Sequence, residues 1–99
     1  LTDDKKHLSR AARMETRLRA QFAPLACVIE DQSGQHAGHA GARPGGETHY
    51  RLTLVSTAFE GLSRLERQRL VYQALREEFD TGLHALSLDL KTPAEAGAA

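Results

Sequence analysis

The chain has 99 residues and a mass of 10.9 kDa, which suits one compact domain and leaves no room for a second core. Thirteen Lys and Arg balance thirteen Asp and Glu, so a whole-molecule attraction to phosphate backbones or anionic lipid is missing and any basic surface must be local. The one cysteine, Cys27, excludes an internal disulfide framework and any site in which this chain supplies two thiolates. No apolar run approaches about eighteen residues and no signal peptide is visible, so the expectation is a soluble protein of a reducing, cytoplasmic compartment without a membrane partner.

Over residues 3–21 the apolar positions Leu8, Ala11, Met14, Leu18 and Phe22 recur at spacings of three and four, one stripe of a helix that Asp3 or Asp4 would cap. Pro24 pushes Ala23 towards an extended backbone, so the helix should end near Gln21. Residues 25–31 read as a short strand in which Cys27 and Ile29 alternate with Ala26 and Val28. From residue 32 to 46, five of the eight glycines gather with Pro44, His36 and His39 in a stretch without a periodic apolar face. A loop of that length in a small domain is more often functional or disordered than a neutral connector. Residues 47–56 then alternate, with Tyr50, Leu52 and Leu54 on one face and His49, Arg51 and Thr53 on the other, as in a half-buried strand.

Phe59, Glu60, Gly61 and Leu62 make a turn, and Ser63 with Glu66 three positions on is a capping box opening the next helix. Placing residues about 100° apart puts Leu65, Gln68, Val71, Tyr72, Leu75 and Phe79 on one stripe, while Glu60, Glu66, Glu77 and Glu78 form the wet face. Thr81 and Gly82 end the helix, and residues 83–90 form a third strand with His84 in phase with Leu86, Leu88 and Leu90. The chain should therefore be flexible or beginning its first helix over residues 1–9, folded over 10–93 and disordered over 94–99.

Strands joined by a loop should pair antiparallel, whereas a strand reached through a helix should lie parallel to the one before it. The third strand then starts at the sheet edge that carries the glycine loop, which turns His84 towards His36 and His39. Imidazoles from a loop and a strand form a partial metal site, and the plain alternative is solvated histidines in a glycine loop. No Cys pair or HExxH spacing completes a closed zinc site, and no nucleophile motif, phosphate loop or dinucleotide fingerprint appears, so the chain reads as no enzyme. Cys27 reads as inert packing, and His7 and His49 as solvent-facing polar positions. Arg64, Arg67, Arg69 and Arg76 form a local basic helix face able to contact nucleic-acid phosphates, or simply a solvated surface.

Ser33-x-x-His36, the run from Gly45 through Tyr50, Val55-Ser56-x-x-Phe59-Glu60-Gly61, Arg67-x-Arg69-Leu70-Val71-Tyr72 and His84-Ala85-Leu86 resemble, in order, the signature blocks of the BolA family over roughly residues 10–93. The resemblance implies an α/β, or α+β, fold of the class II KH-like type: order αββααβ, a three-stranded mixed sheet, helices packed on one face, and a short helix near Phe59. It also implies an adaptor that forms a heterodimer with a monothiol glutaredoxin and co-ligates a shared [2Fe-2S] cluster in iron–sulfur assembly or transfer and iron homeostasis. The glutaredoxin cysteine and glutathione would supply two ligands. His84 matches the family's C-terminal ligand and His36 its loop ligand, with His39 able to substitute; the isolated chain would hold no cofactor. Gln68 stands where many members carry histidine. The runner-up reading is a DNA-binding transcription regulator of stress response and cell morphology using Arg64, Arg67, Arg69 and Arg76, and a weak homodimer of the partner-free chain is left open.

Overall fold

A computed structural model describes residues 9–32 and 48–97. The first helix, α1 (Arg10–Phe22), starts at Ser9, whose Oγ accepts the Ala12 amide at 3.1 Å and so satisfies one orphan donor of the first turn. Asp3 and Asp4, the expected caps, lie outside the described residues. Met14, Leu18 and Phe22 are buried, as the spacing requires, and Arg10 is buried with them on the same stripe. Ala23 ends the helix in the left-handed region (φ 44°, ψ 55°), its amide donating to Arg19 O at 3.1 Å, and Pro24 follows.

Strand β1 (Ala26–Asp31) pairs antiparallel with β2 (His49–Val55), and β2 pairs parallel with β3 (Ala85–Lys91), giving the order β1-β2-β3 that the connection rules demand. The register stacks one apolar face across the sheet: Cys27 opposite Leu54 and Leu90, Ile29 opposite Leu52 and Leu88, and Tyr50 opposite Leu86. All the helices cover that face, so the core is one cluster built on Met14, Leu18, Phe22, Tyr50, Leu52, Leu54, Phe59 and Val71. The expected mixed α/β architecture is the one observed.

Between β2 and the next helix, Thr57–Phe59 forms a single 3₁₀ turn that drives the Phe59 ring into the core, 5.3 Å from the Phe22 ring. Ser56, fully buried beside it, donates to Phe22 O at 2.7 Å and accepts the Ala58 amide at 3.0 Å, so its hydroxyl is satisfied without water. Helix α2 (Arg64–Ala74) opens with the expected capping box, Ser63 N donating to Glu66 Oε1 at 2.8 Å and Glu66 N to Ser63 Oγ at 3.1 Å.

The expected long helix is broken at Leu75 (φ −103°, ψ 15°), and a five-residue α3 (Arg76–Asp80) follows. Its predicted apolar stripe is also turned by roughly a quarter turn. Val71, Ala74 and Leu75 face the core, whereas Leu65 and Tyr72 are exposed, and Glu78, expected on the wet face, is buried. Ala74 belongs to the core cluster and Leu70 packs against it, while the Glu78 carboxylate is drawn inward by Arg10 and Arg13. After β3, Thr92 is buried, its amide donates to Glu95 Oε1 at 2.8 Å, and the Glu95 amide donates to Thr92 Oγ1 at 3.2 Å, closing a turn that Arg67 of α2 grips through Glu95.

Candidate functional site

The parallel pairing brings the starts of β2 and β3 to one edge of the sheet. Thr48, buried, offers its carbonyl to the amides of both His84 (2.8 Å) and Ala85 (3.0 Å), and this fork fixes where the third strand begins. His84 therefore precedes the strand instead of sharing the core phase of Leu86, and its side chain is exposed. Its ring stacks on that of His49, centroids 5.5 Å apart and planes 14° apart. His49 Nδ1 lies 2.8 Å from Thr48 Oγ1 in a hydrogen bond whose direction is set by the imidazole tautomer. His36 and His39 lie outside the described residues, which resume at Thr48, hydrogen-bonded to the His84 amide.

Chemically the edge presents two adjacent imidazoles, nitrogen ligands suited to zinc, copper and iron. Among the described residues, no group of three or more His, Cys, Asp or Glu is placed to hold a metal ion. His49 is the residue that sequence reasoning missed, having been given to solvent. The parallel register pairs His49 with Ala85, one residue after His84, so connectivity brings both histidines to one edge without announcing that their rings stack.

The arginine face divides. Arg64, Arg69 and Arg76 are exposed. Arg67 is engaged from every side: Nε donates to Leu62 O at 3.0 Å, Nη1 to Leu90 O at 3.2 Å, the fork grips the Glu95 carboxylate at 2.6 and 3.1 Å, and the guanidinium lies 5.9 Å from the centroid of the Phe59 ring. The hydrogen bond from Arg67, then that from the Thr92 amide, pulls the Glu95 carboxyl down to about 2. Gln68 is half-buried and lines a shallow cleft with Arg64, Leu88, Asp89 and Leu90.

Glu78 joins α3 to α1. Arg10 Nη1 donates to its Oε1 at 2.7 Å, and Arg13 donates through Nε to Oε2 and through Nη2 to Oε1, both at 3.0 Å. Burial works to raise this carboxyl, but the bonds and charges of Arg13 and Arg10 outweigh it and hold the group below the usual carboxylate range. Cys27 is half-buried, and burial raises its thiol against the opposing charge of Arg19, which fits the inert reading. Among the described residues, no helix is long and apolar enough to cross a membrane.

A three-stranded mixed sheet with helices on one face, a histidine at the head of the third strand, and a capped arginine-rich helix define a small α/β domain of one recognisable class. The family model described as BolA-like protein matches residues 18–95. The chain belongs to the BolA-like family. It is 53% identical over 90 residues to Protein BOLA1, chloroplastic, of Arabidopsis thaliana, covering 89% of this chain and 56% of that protein. It is 47% identical over 91 residues to SufE-like protein 1, chloroplastic/mitochondrial, of the same plant, covering 88% of this chain and 24% of that one. With human BolA-like protein 1 the identity is 43% over 84 residues, 85% of this chain and 58% of the relative. The chain thus spans little more than half the length of two of these relatives and a quarter of the third. Among solved structures, BolA1 from Arabidopsis thaliana superposes with a TM-score of 0.80 at 52% identity, covering 89% of this chain and 96% of that one. The BolA domain of SufE1 from the same plant gives 0.79 at 46% identity, with the same coverage of both chains.

Proposed function

We propose that this chain is an adaptor that binds a monothiol glutaredoxin and co-ligates a shared [2Fe-2S] cluster, acting in iron–sulfur assembly or transfer and in iron homeostasis. The observation that carries the reading is His84: an exposed imidazole held by its backbone at the edge where the glycine-rich segment returns. The donor chemistry fits a half-site. A cluster of this type takes four ligands besides its own sulfides, and the described edge offers too few to close a site alone. The glutaredoxin cysteine and glutathione would supply two, His84 a third, and His36 or His39 the fourth. When bound, the cluster supplies electron-accepting and transferable iron and sulfide; this chain contributes neutral nitrogen ligands and an open edge for the partner.

Kinship with relatives named for the chloroplast and mitochondrion is compatible with service in an organelle as well as in the cytoplasm. The DNA reading draws no comparable support, since Arg67, central to that face, is already bound to Glu95, Leu62 and Leu90.

Co-expression with a monothiol glutaredoxin, followed by visible absorption and circular dichroism, tests the proposal. A coloured heterodimer is expected, with its spectrum altered or lost in His84→Ala and in one of His36→Ala and His39→Ala. An unaltered spectrum in His84→Ala refutes the ligand assignment.

A further inference from the structure

We infer that His49 is a positioning residue for His84, holding the exposed imidazole in one orientation through ring stacking before any partner arrives. An exposed histidine at the end of a turn ordinarily samples several staggered χ1 wells and a broad χ2. At this edge three contacts act in series. Thr48 is buried and cannot move freely; its carbonyl binds the amides of His84 and Ala85, fixing the backbone beneath the exposed ring. Its hydroxyl binds His49 Nδ1 at 2.8 Å, fixing the second ring. That second ring lies nearly parallel to His84, 5.5 Å away and 14° off, within the range in which aromatic rings attract in offset stacks. One buried residue therefore orients both imidazoles, the first by its backbone and the second by its side chain.

This arrangement is what supports a ligand in metal proteins generally, where the residues behind a ligand set its direction and remove the ordering loss on binding. The case for His49 as a support rests on its ring, which lies nearly parallel to that of His84, while the bond from Nδ1 to Thr48 fixes the plane of that ring. The functional half of the inference rests on the reading of His84 as a cluster ligand; the geometric half does not.

Two variants separate stacking from ligation. His49→Ala removes the ring, and His49→Phe keeps an aromatic face without nitrogens. In the metal-free chain, NMR of the His84 ring and its χ1 couplings should show one ordered rotamer in the parent and in His49→Phe, and averaged couplings with a shifted ring signal in His49→Ala. Thr48→Val, which removes only the hydroxyl, should loosen His84 partially and serves if His49→Ala fails to fold. In the heterodimer with glutaredoxin, resistance of the cluster to a chelator should fall about three- to tenfold in His49→Ala, the scale of one freed side chain, and recover in His49→Phe.

Unchanged His84 couplings in both His49→Ala and Thr48→Val overturn the inference. So does a His49→Phe heterodimer as weak as His49→Ala despite an ordered His84, because His49 would then act through its nitrogens. If His84→Ala leaves the cluster spectrum intact, the proposed function fails while the couplings still decide the stack.

Discussion

Replacing Glu78 by alanine removes the carboxylate through which α3 holds α1, and the structure sets the size of the loss. The side chain of Glu78 is 10% exposed and that of Arg10 11%, so this is a buried pair, and deleting one member of such a pair costs about 3–5 kcal/mol when the other charge is stranded. Here the stranding is incomplete. Arg10 retains Glu78 O, Thr81 Oγ1 and Thr81 O as acceptors at 3.0, 3.1 and 3.0 Å, and Arg13, at 34% exposed, can be hydrated. The expected destabilisation is therefore about 2–3 kcal/mol, or a fall in Tm of about 10–20 °C for a domain of this size. Glu78→Gln keeps one acceptor and should lose about half as much. The pH dependence follows from the sign of the shift. The folded carboxyl lies below its unfolded counterpart, so the unfolded chain takes up the proton first; the stabilisation is complete above the usual carboxylate range and is lost as pH falls through the folded value. Urea unfolding across pH 3–7 checks both statements. A loss below about 0.5 kcal/mol in Glu78→Ala, the range of an ordinary surface change, or a Glu78→Gln variant with the parent's acid slope, refutes the claim that this ion pair ties the helices together.

Glu95→Gln should release the C-terminal turn, seen as faster exchange of the Ala96 amide, which donates to Thr92 O. In the parent the Glu95 carboxyl is held at about 2 by Arg67 and the Thr92 amide, so the turn should persist well below the ordinary carboxylate range and open only as pH approaches that value, which a carboxyl-carbon NMR titration reads directly. Leu65→Ala, at an exposed position, should change stability by less than about 0.5 kcal/mol, and Tyr72→Ala, which loses a ring contact with Phe79 at 5.3 Å, by about 0.5–1 kcal/mol, whereas Val71→Ala, fully buried one position before Tyr72, should cost about 2 kcal/mol; equal losses at Val71 and Leu65 would restore the stripe read from the sequence. Cys27, with its thiol raised by burial, should react with a disulfide reagent at pH 8 more slowly than a free thiol, and full-speed labelling of the native chain contradicts the inert reading.

The strands were legible because their two-residue alternation is dense: Tyr50, Leu52 and Leu54 can face only one way once any of them is buried. The capping box was legible because Ser63 and Glu66 interact locally. Helix α2 was misread because its apolar residues do not define one direction. Leu65 is as hydrophobic as Leu75 and Tyr72 carries a ring larger than the Val71 side chain, so composition alone does not decide which set is covered. The buried polar residues were harder still. Arg10, Ser56 and Glu78 look like surface positions in any hydropathy pattern, and each is inside because a distant partner satisfies it: Glu78 for Arg10 and Phe22 O for Ser56. Such pairings span more than thirty positions in the chain, and nothing local announces them.

The same asymmetry governs the histidine edge. That His84 lies where the glycine-rich segment returns follows from connectivity alone, since a parallel third strand must start where the second starts. That His49 stacks on it does not follow from alternation, which assigns His49 to the solvent face with Arg51 and Thr53 and His84 to the core phase with Leu86. The two rings meet because His84 falls one residue short of the strand, where alternation has stopped applying, and the Thr48 carbonyl gathers the His84 and Ala85 amides together. The histidine pair is thus made at the point where regular secondary structure gives out. The place of His84 can be found by counting strands, but the ring stacked against it is visible only once the hydrogen bonds closing that strand end are known.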